Sequence, residues 1–194
     1  MEATRIIVVR HGETAWNVDA RIQGQLDVGL NETGRWQARR VGEALAGEAI
    51  TAVYSSDLGR AHQTAQTIAE VTGTPVVAEE GLRERSFGMF EGKTFTEIHE
   101  TWPDHAQNWR KRIPEWAPPE GGESLLQLRE RVTRTMQSLA ARHQGEQIVW
   151  WPTAACWTPC TGSRPGRMSI RPGPGSCPTA PSIGCCGHRK ALLW

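Results

Sequence analysis

Apolar and polar positions divide most of the chain into alternating strand and helix patterns. Residues 6–9, Ile-Ile-Val-Val, are β-branched and apolar at every position, which is typical of a strand buried on both faces of a parallel sheet. Similar short runs follow further along the chain. Strands are predicted at residues 4–10, 52–56 and 75–78, and a fourth begins at residue 147.

Amphipathic segments lie between these strands. Trp36, Val41 and Leu45 recur at helical spacing and predict a buried helix face, with Asn31 as the N-cap. Further helices are predicted from about residue 57 to 71, over residues 94–111 with a break at Pro103, and over residues 124–143. Strands that alternate with helices over the first 150 residues predict an α/β fold with a mainly parallel sheet.

Length and charge narrow the classes of function. The chain has 194 residues, which suits one domain of ordinary size, and its net charge of +1 gives no electrostatic case for binding nucleic acid or a membrane surface. No apolar run approaches the roughly 20 residues that span a bilayer. The first five residues lead directly into a strand rather than into a signal peptide, so a cytoplasmic location is expected.

The candidate chemistry begins where the first strand ends, at residues 10–14, Arg-His-Gly-Glu-Thr. Ligands of open α/β folds bind at the carboxyl ends of the strands. The planar guanidinium of Arg10 suits phosphate oxygens, and a neutral His11 beside it could attack phosphorus. Arg60 is placed in the first turn of a helix just past the second strand, where backbone N–H groups already favour anions.

Several separated motifs resemble the histidine phosphatase superfamily, the group of enzymes similar to phosphoglycerate mutase. The resemblance covers about residues 4–149, and it implies a three-layer α/β/α fold with a mainly parallel central sheet. Residues 87–92 and 121–124 are more similar to the phosphatase branch than to the mutases. The motifs are those at residues 10–14, Asn17, Gln23-Gly24, residues 55–61 and residues 82–84.

The resemblance implies a role for each site residue. His11 would be the nucleophile that forms a phosphohistidine, and Glu84 would protonate the leaving group and then activate water. Arg10 and Arg60 would clamp the phosphoryl oxygens, so no metal or other cofactor is expected. The remaining phosphate-binding residues would be Asn17, Gln23 and Gly24.

Each assignment has an alternative. Glu91 competes with Glu84 for the role of the acid, and Glu84 could instead pair with Arg83 or Arg85 at the surface. Asn17 and Gln23 could be ordinary polar loop residues, and Arg60 a surface charge. Three other histidines are expected to be structural or exposed to solvent; they are His62, His99 and His105.

The expected function is hydrolysis of a small phosphorylated metabolite through a phosphohistidine. Members of the superfamily that the chain resembles act on sugar phosphates, phosphoglycerates, phosphoserine or α-ribazole phosphate. The sequence does not indicate which of these is the substrate. A phosphoglycerate mutase is the alternative enzyme, although mutases usually carry a longer insertion after the acid-bearing loop. A non-catalytic protein that binds a phosphorylated ligand is the alternative from another class. The sequence does not predict an oligomeric state.

Composition changes abruptly after residue 149. All five cysteines fall between Cys156 and Cys186, no acidic residue follows Glu146, and seven of the twelve prolines lie after Trp151. The resemblance requires a second pocket histidine after the fourth strand, but Trp150, Trp151 and Pro152 stand there. We therefore predict a phosphatase domain at residues 1–149 and a frameshifted tail at residues 150–194, with the C-terminal strands and helix missing or disrupted. A genuine metal-binding tail built on the cysteines and His188 is the alternative, although their spacing fits no usual zinc motif.

The genetic code supports the frameshift. Tryptophan has the single codon TGG, so reading Trp150 to Pro152 one base earlier gives Val and Ala without any freedom of choice. The next triplet encodes histidine if the Pro152 codon ends in C, and Gly-Gly can follow. Loss of the true segment is expected to remove the strand beside the first one and a donor from the phosphate pocket. The chain as written is therefore expected to be poorly folded or nearly inactive, although its parent would be a phosphatase. Sequencing the gene across the codons for residues 145–161 tests this prediction.

Overall fold

The computed structural model describes residues 2–151 and the strand Arg167–Ile170. Its elements alternate as the sequence predicts, and a single sheet runs through the centre. In chain order they are β1 (Thr4–Val8), α1 (Ala15–Val18), α2 (Glu32–Leu45), β2 (Ala52–Ser55), α3 (Gly59–Thr72), β3 (Val76–Ala78), α4 (Phe95–Thr101), α5 (Pro103–Arg110), α6 (Leu125–Arg142), β4 (Gln147–Trp151) and β5 (Arg167–Ile170), with short 3₁₀ turns at Glu80–Leu82 and Gly88–Phe90.

The sheet has five strands in the order β3-β2-β4-β1-β5. Strands β3, β2, β4 and β1 run parallel, and β5 pairs antiparallel with β1. Ile148 of β4 lies between Ile6 and Ala52 of the neighbouring strands. This topology confirms the predicted α/β fold with a mainly parallel sheet.

Each face of the sheet has its own core, which makes three layers. One face packs Ile6, Tyr54 and Ile148 with apolar residues of α6, such as Leu128. The other face packs Val53 and Val149 with apolar residues of α2 and α3. Because side chains alternate along a strand, adjacent β4 residues serve opposite layers.

The helix ends follow the predicted signals. The Asn31 side chain accepts a hydrogen bond from the Gly34 amide and caps α2, and Ser124 forms a capping box with Gln127 at the start of α6. The predicted break at Pro103 is confirmed, since α5 begins at this residue. Helix α3 begins at Gly59, which puts Arg60 in its first turn as expected.

Two expectations from the sequence are wrong. Trp36 is 50% exposed rather than buried, because α2 presents a face of small residues to α3. A Cβ on Gly42 would lie only 3.2 Å from Val71 Cγ2, so the two helices approach closely there. The strand beside β1 is also not lost, since β4 continues through Trp151 and the Val9 amide donates to the Trp150 carbonyl at 3.1 Å.

The tail otherwise lies outside the described residues. This holds for Pro152, for all five cysteines and for the predicted loss of a C-terminal helix, so the frameshift, the metal-binding alternative and the domain boundary at residue 149 stay predictions. Within the described part, β5 shows that one strand follows β4. In that same part no helix is long and apolar enough to cross a membrane.

Candidate active site

His11, the predicted nucleophile, lies just past the carboxyl end of β1, near Arg60 at the start of α3. The Gly12 amide donates to Thr64 Oγ1 at 3.2 Å, and the same hydroxyl donates to the Arg60 carbonyl at 2.8 Å. Thr64, on the second turn of α3, therefore joins the loop that carries His11 to the helix that carries Arg60. Arg10 lies exposed beside this loop.

Close packing against α2 fixes the path of the His11 loop. A Cβ on Gly12 would lie 2.3 Å from the Gly34 carbonyl oxygen, and a Cβ on Gly34 would lie 2.1 Å from the Glu13 carbonyl oxygen. These separations are too short for any side chain, so both positions require glycine. The cap residue Asn31 adds two bonds, because its backbone amide donates to the Glu13 carbonyl at 3.0 Å and its side-chain amide donates to Glu13 Oε1 at 2.9 Å.

The His11 ring has a defined tautomer. Its Nδ1 lies 2.8 Å from the Gly12 carbonyl oxygen, and because a carbonyl only accepts, Nδ1 carries the proton. Burial lowers the His11 pKa to about 4, and the guanidinium charges of Arg60 and Arg10 add to this effect, while the bond to Gly12 opposes it. The ring is therefore neutral at pH 7, with the lone pair on Nε2.

Arg60 is buried, with only 1% of its surface exposed. Its two terminal nitrogens donate to the carbonyls of Leu26, at 3.0 Å, and Gly24, at 2.7 Å. Its Nε is buried and has no partner among the described residues. Burial lowers the Arg60 pKa, and the carboxylates of Glu84, Asp27 and Glu91 oppose that shift. The alternative of a surface charge is thus wrong.

The loop at residues 23–27 wraps over Arg60. Gln23 is buried, and its Oε1 has no partner among the residues the structure describes. Gly24 has a φ of 54° and supplies a carbonyl to Arg60. Asp27 Oδ1 accepts from the Gly59 amide at 2.6 Å and so caps α3 from this loop. The loop and the helix N-terminus therefore form one unit around the guanidinium.

Asn17 plays a local role at α1. Its Oδ1 accepts from the amide of Thr14 at 3.0 Å and from the Thr14 hydroxyl at 3.1 Å, which completes a capping box. The side chain is exposed. Only its side-chain nitrogen, Nδ2, is left to act as the phosphate donor that the sequence predicts.

Glu84 is the buried carboxylic acid of the site, with 8% of its surface exposed. Its Oε1 accepts from the Arg85 amide at 2.8 Å, and its negative charge acts on Arg60. Arg83, one suggested surface partner, forms a two-pronged pair with Asp57. Arg85, the other, donates from Nε to the Glu123 carbonyl at 2.6 Å, and its charge also interacts with that of Glu84. Burial of Glu84 thus contradicts the surface alternative.

Glu91, the competing acid, is used to hold the loops together. Its Oε1 accepts from the backbone amides of Gln25, at 3.0 Å, and Phe87, at 2.9 Å. A Cβ on Gly24 would lie 2.1 Å from the same oxygen. Glu91 therefore ties the loop at residues 23–27 to the segment at Phe87.

The other predicted histidines lie among aromatic rings or at the surface. His99 is exposed and stacks on Phe95, His105 packs near Phe90 and Trp116, and His62 is half-buried on α3. Thr64 and Gly34 were not predicted to belong to the site. Gly34 carried a signal, since a glycine inside a predicted helix often marks a close approach of another backbone.

Similar proteins identify the family. Residues 6–151 match the histidine phosphatase superfamily, branch 1. The chain belongs to this superfamily. Over 151 residues it is 44% identical to phosphoglycerate mutase-like protein 4 of Arabidopsis thaliana, a match that covers 77% of this chain and 66% of that protein. It is 41% identical over 150 residues to the metal-independent phosphoserine phosphatase of the same plant, with 76% of this chain and 63% of that protein covered. The chain thus spans about two thirds of the length of each relative.

A solved structure shows the same fold. The mycobacterial glucosyl-3-phosphoglycerate phosphatase in complex with VO3 superposes with a TM-score of 0.74 at 30% identity, covering 86% of this chain and 90% of that chain. The superfamily and fold predicted from the sequence are therefore confirmed.

Among the described residues, no group of three or more His, Cys, Asp or Glu side chains could hold a metal ion.

Proposed function

We propose that the chain is a phosphomonoesterase that transfers the phosphoryl group of a small phosphorylated metabolite to His11 and then to water. The observation that carries this proposal is the state of His11, a neutral ring with Nδ1 bonded to Gly12 and Nε2 left as a nucleophile beside Arg10 and Arg60. Membership of the superfamily and a relative named as a phosphoserine phosphatase support the same reaction.

In the first proposed step, His11 Nε2 attacks phosphorus while the bond from phosphorus to the leaving oxygen breaks. Glu84 gives its proton to that oxygen, so that the product leaves as an alcohol. Arg10 and Arg60 stabilise the charge on the phosphoryl oxygens. The buried Arg60 Nε fits this role, because a buried N–H without an acceptor is unfavourable by about 1–3 kcal/mol and a phosphate oxygen would satisfy it.

In the second step, Glu84 as a carboxylate takes a proton from water, and the water oxygen attacks phosphorus. The bond between phosphorus and Nε2 breaks, inorganic phosphate forms, and the lone pair returns to His11. Gln23, Gly24 and the side-chain nitrogen of Asn17 are proposed as neutral contacts to the phosphate. The hydrogen bond from Nδ1 to the Gly12 carbonyl keeps Nε2 directed towards the substrate in both steps.

Hydrolysis of p-nitrophenyl phosphate by the purified chain tests the proposal. We expect slow phosphate release, because one donor of the pocket is predicted to be missing. EDTA should not change this rate, since arginines carry the charge, and rapid-quench samples should contain an acid-labile phosphoprotein. His11→Ala should abolish both signals, whereas the exposed His99→Asn should leave them unchanged. Equal rates for the original chain and His11→Ala would contradict the mechanism. Ligand binding that survives His11→Ala, without turnover in either protein, would favour the non-catalytic alternative.

Mutase activity is the second candidate, because one relative is named phosphoglycerate mutase-like. A mutase must keep a bisphosphorylated intermediate away from water. Hydrolysis of an aryl phosphate without added bisphosphoglycerate would favour the phosphatase, and a strict requirement for that compound would favour the mutase.

A cytoplasmic location is part of the proposal, since charged phosphorylated metabolites are retained inside cells. Cell fractionation tests this location.

A further inference from the structure

We propose that Arg131 is a positioning residue for Glu84. It lies on α6, and its side chain reaches from this helix to the backbone of the segment that carries the acid. The inference rests on the proposed function, because it concerns how well Glu84 delivers its proton.

The Arg131 guanidinium holds the acid-bearing segment through its carbonyls. One terminal nitrogen donates to the carbonyl oxygens of Gly81 and Arg83, both at 3.0 Å, and the other lies 3.5 Å from the Glu84 carbonyl oxygen. Three carbonyls within four residues thus face one planar group. Such an arrangement fixes the course of the backbone from residue 81 to residue 84.

Glu123 fixes the guanidinium from its other side. Arg131 Nε donates to Glu123 Oε1 at 2.9 Å, and a terminal nitrogen donates to Oε2 at 2.6 Å. The pair is partly buried, with side-chain exposures of 24% for Arg131 and 14% for Glu123. A two-pronged pair with this little exposure holds a defined geometry better than a surface ion pair does.

The segment before α6 is also tied to the acid loop through its backbone. The Glu123 amide donates to the Ser86 carbonyl at 2.9 Å, and its carbonyl accepts from Arg85 Nε at 2.6 Å. Arg131 and Glu123 therefore form hydrogen bonds with residues on both sides of Glu84 in the sequence. The Gly-Gly-Glu-Ser motif at residues 121–124 gains a physical role from these contacts.

The Glu84 carboxylate depends on this backbone for its direction. Its Oε1 accepts from the next amide, that of Arg85, and its carbonyl also accepts from Gln25 Nε2 at 3.0 Å. A displacement of the backbone at residues 81–84 would move the proton donor relative to the leaving oxygen. Misplacement of a reacting group by about 1 Å can slow catalysis on the order of 100-fold. Lysine offers a point charge without the planar fork and should not replace Arg131 fully.

The test uses leaving groups that need the proton to different degrees. We compare kcat and KM of the original chain, Arg131→Met, Arg131→Lys and Glu84→Gln on 2,4-dinitrophenyl, p-nitrophenyl and phenyl phosphate. For phenyl phosphate, whose leaving group needs the proton most, kcat/KM should fall roughly 10- to 100-fold in Arg131→Met. This ratio reports the steps up to loss of the leaving group and excludes the later hydrolysis of the phosphohistidine, which is the same for all three esters. For the dinitrophenyl ester kcat/KM should change less than about threefold. Arg131→Lys should lie between, with the same dependence on the leaving group.

Two controls separate positioning from general loosening. Arg134→Met removes an exposed arginine one turn further along α6, and it should match the original chain on all three esters. In a Glu84→Gln background, Arg131→Met should add less than about twofold, because there is no acid left to position. An equal loss of kcat/KM on all three esters, or a full additional loss in the Glu84→Gln background, would overturn the proposal.

Failure of the proposed function gives a different pattern. If the original chain hydrolyses none of the esters, or if Glu84→Gln shows no dependence on the leaving group, the assigned chemistry of Glu84 fails. Hydrogen exchange then decides the contact itself. The amides of residues 82–86 should exchange at least about tenfold faster in Arg131→Met than in Arg134→Met, and equal protection in the two variants would overturn the positioning role as well.

Discussion

The low pKa of His11 predicts a specific dependence of stability on pH. Burial, with help from Arg60 and Arg10, lowers this pKa from 6.5 to about 4 in the folded chain. In the unfolded chain the ring returns to its ordinary value near 6.5. Since one pKa unit corresponds to about 1.4 kcal/mol, the difference between the two states is worth roughly 3 kcal/mol.

The direction follows from proton binding. Between pH 6.5 and about 4, the unfolded chain holds a proton on His11 that the folded chain lacks. The free energy of unfolding therefore increases with pH across this window, and it decreases as the pH falls. Above about pH 7 both states are neutral at this ring, so His11 contributes no further pH dependence there.

Urea unfolding of the original chain and His11→Asn at several pH values between 4 and 7.5 measures this effect. The difference between the two free-energy curves cancels the other titrating groups, and it should change by roughly 3 kcal/mol across the window. His99→Asn, which removes an exposed histidine, should keep the original slope. Parallel curves for the original chain and His11→Asn, or an NMR titration of His11 with a pKa above 6, would refute the reasoning.

Three further changes have predictable effects on stability. Gly34→Ala should lower the melting temperature, because the new Cβ would lie 2.1 Å from a loop carbonyl oxygen, whereas Gly47→Ala, with nothing within 4 Å, should be close to neutral. Trp150→Ala should lower the free energy of unfolding in urea by about 3–5 kcal/mol, because it removes a large side chain that is only 2% exposed in the core beside Ile148. Asp27→Ala should reduce the same free energy by about 1 kcal/mol, since it removes the side-chain cap of α3; an unchanged value would show that the cap contributes nothing.

Much of the fold could be predicted from local patterns. The β-branched run before Arg10 forms β1, Asn31 caps α2, and Pro103 begins α5. These signals act within a few residues along the chain, so the sequence displays them directly. The predicted burial of Trp36 was wrong for a related reason. Spacing identifies an amphipathic helix, but the small residues of α2 decide which of its faces can approach α3 closely.

The site, like the fold, could be predicted only in part. His11, Arg60 and Glu84 carry recognisable motifs, and the structure brings the loop of His11 to the helix of Arg60 through Thr64. The contacts that orient these groups join residues far apart in the chain, such as Arg131 and the carbonyl of Gly81. No local pattern encodes such a pairing, because an arginine on a helix face is equally compatible with solvent.

Strand β4 shows why fold and chemistry need not be lost together after residue 149. The Trp150 carbonyl accepts from the Val9 amide, and its side chain fills a core position beside Ile148. A parallel ladder is formed by backbone groups, so an apolar residue that can be buried is enough to continue it. A phosphate pocket instead requires one particular side chain at one position. The predicted change of sequence after Val149 is therefore compatible with the central sheet. If the second pocket histidine is missing, as predicted, phosphoryl transfer should slow before stability is lost.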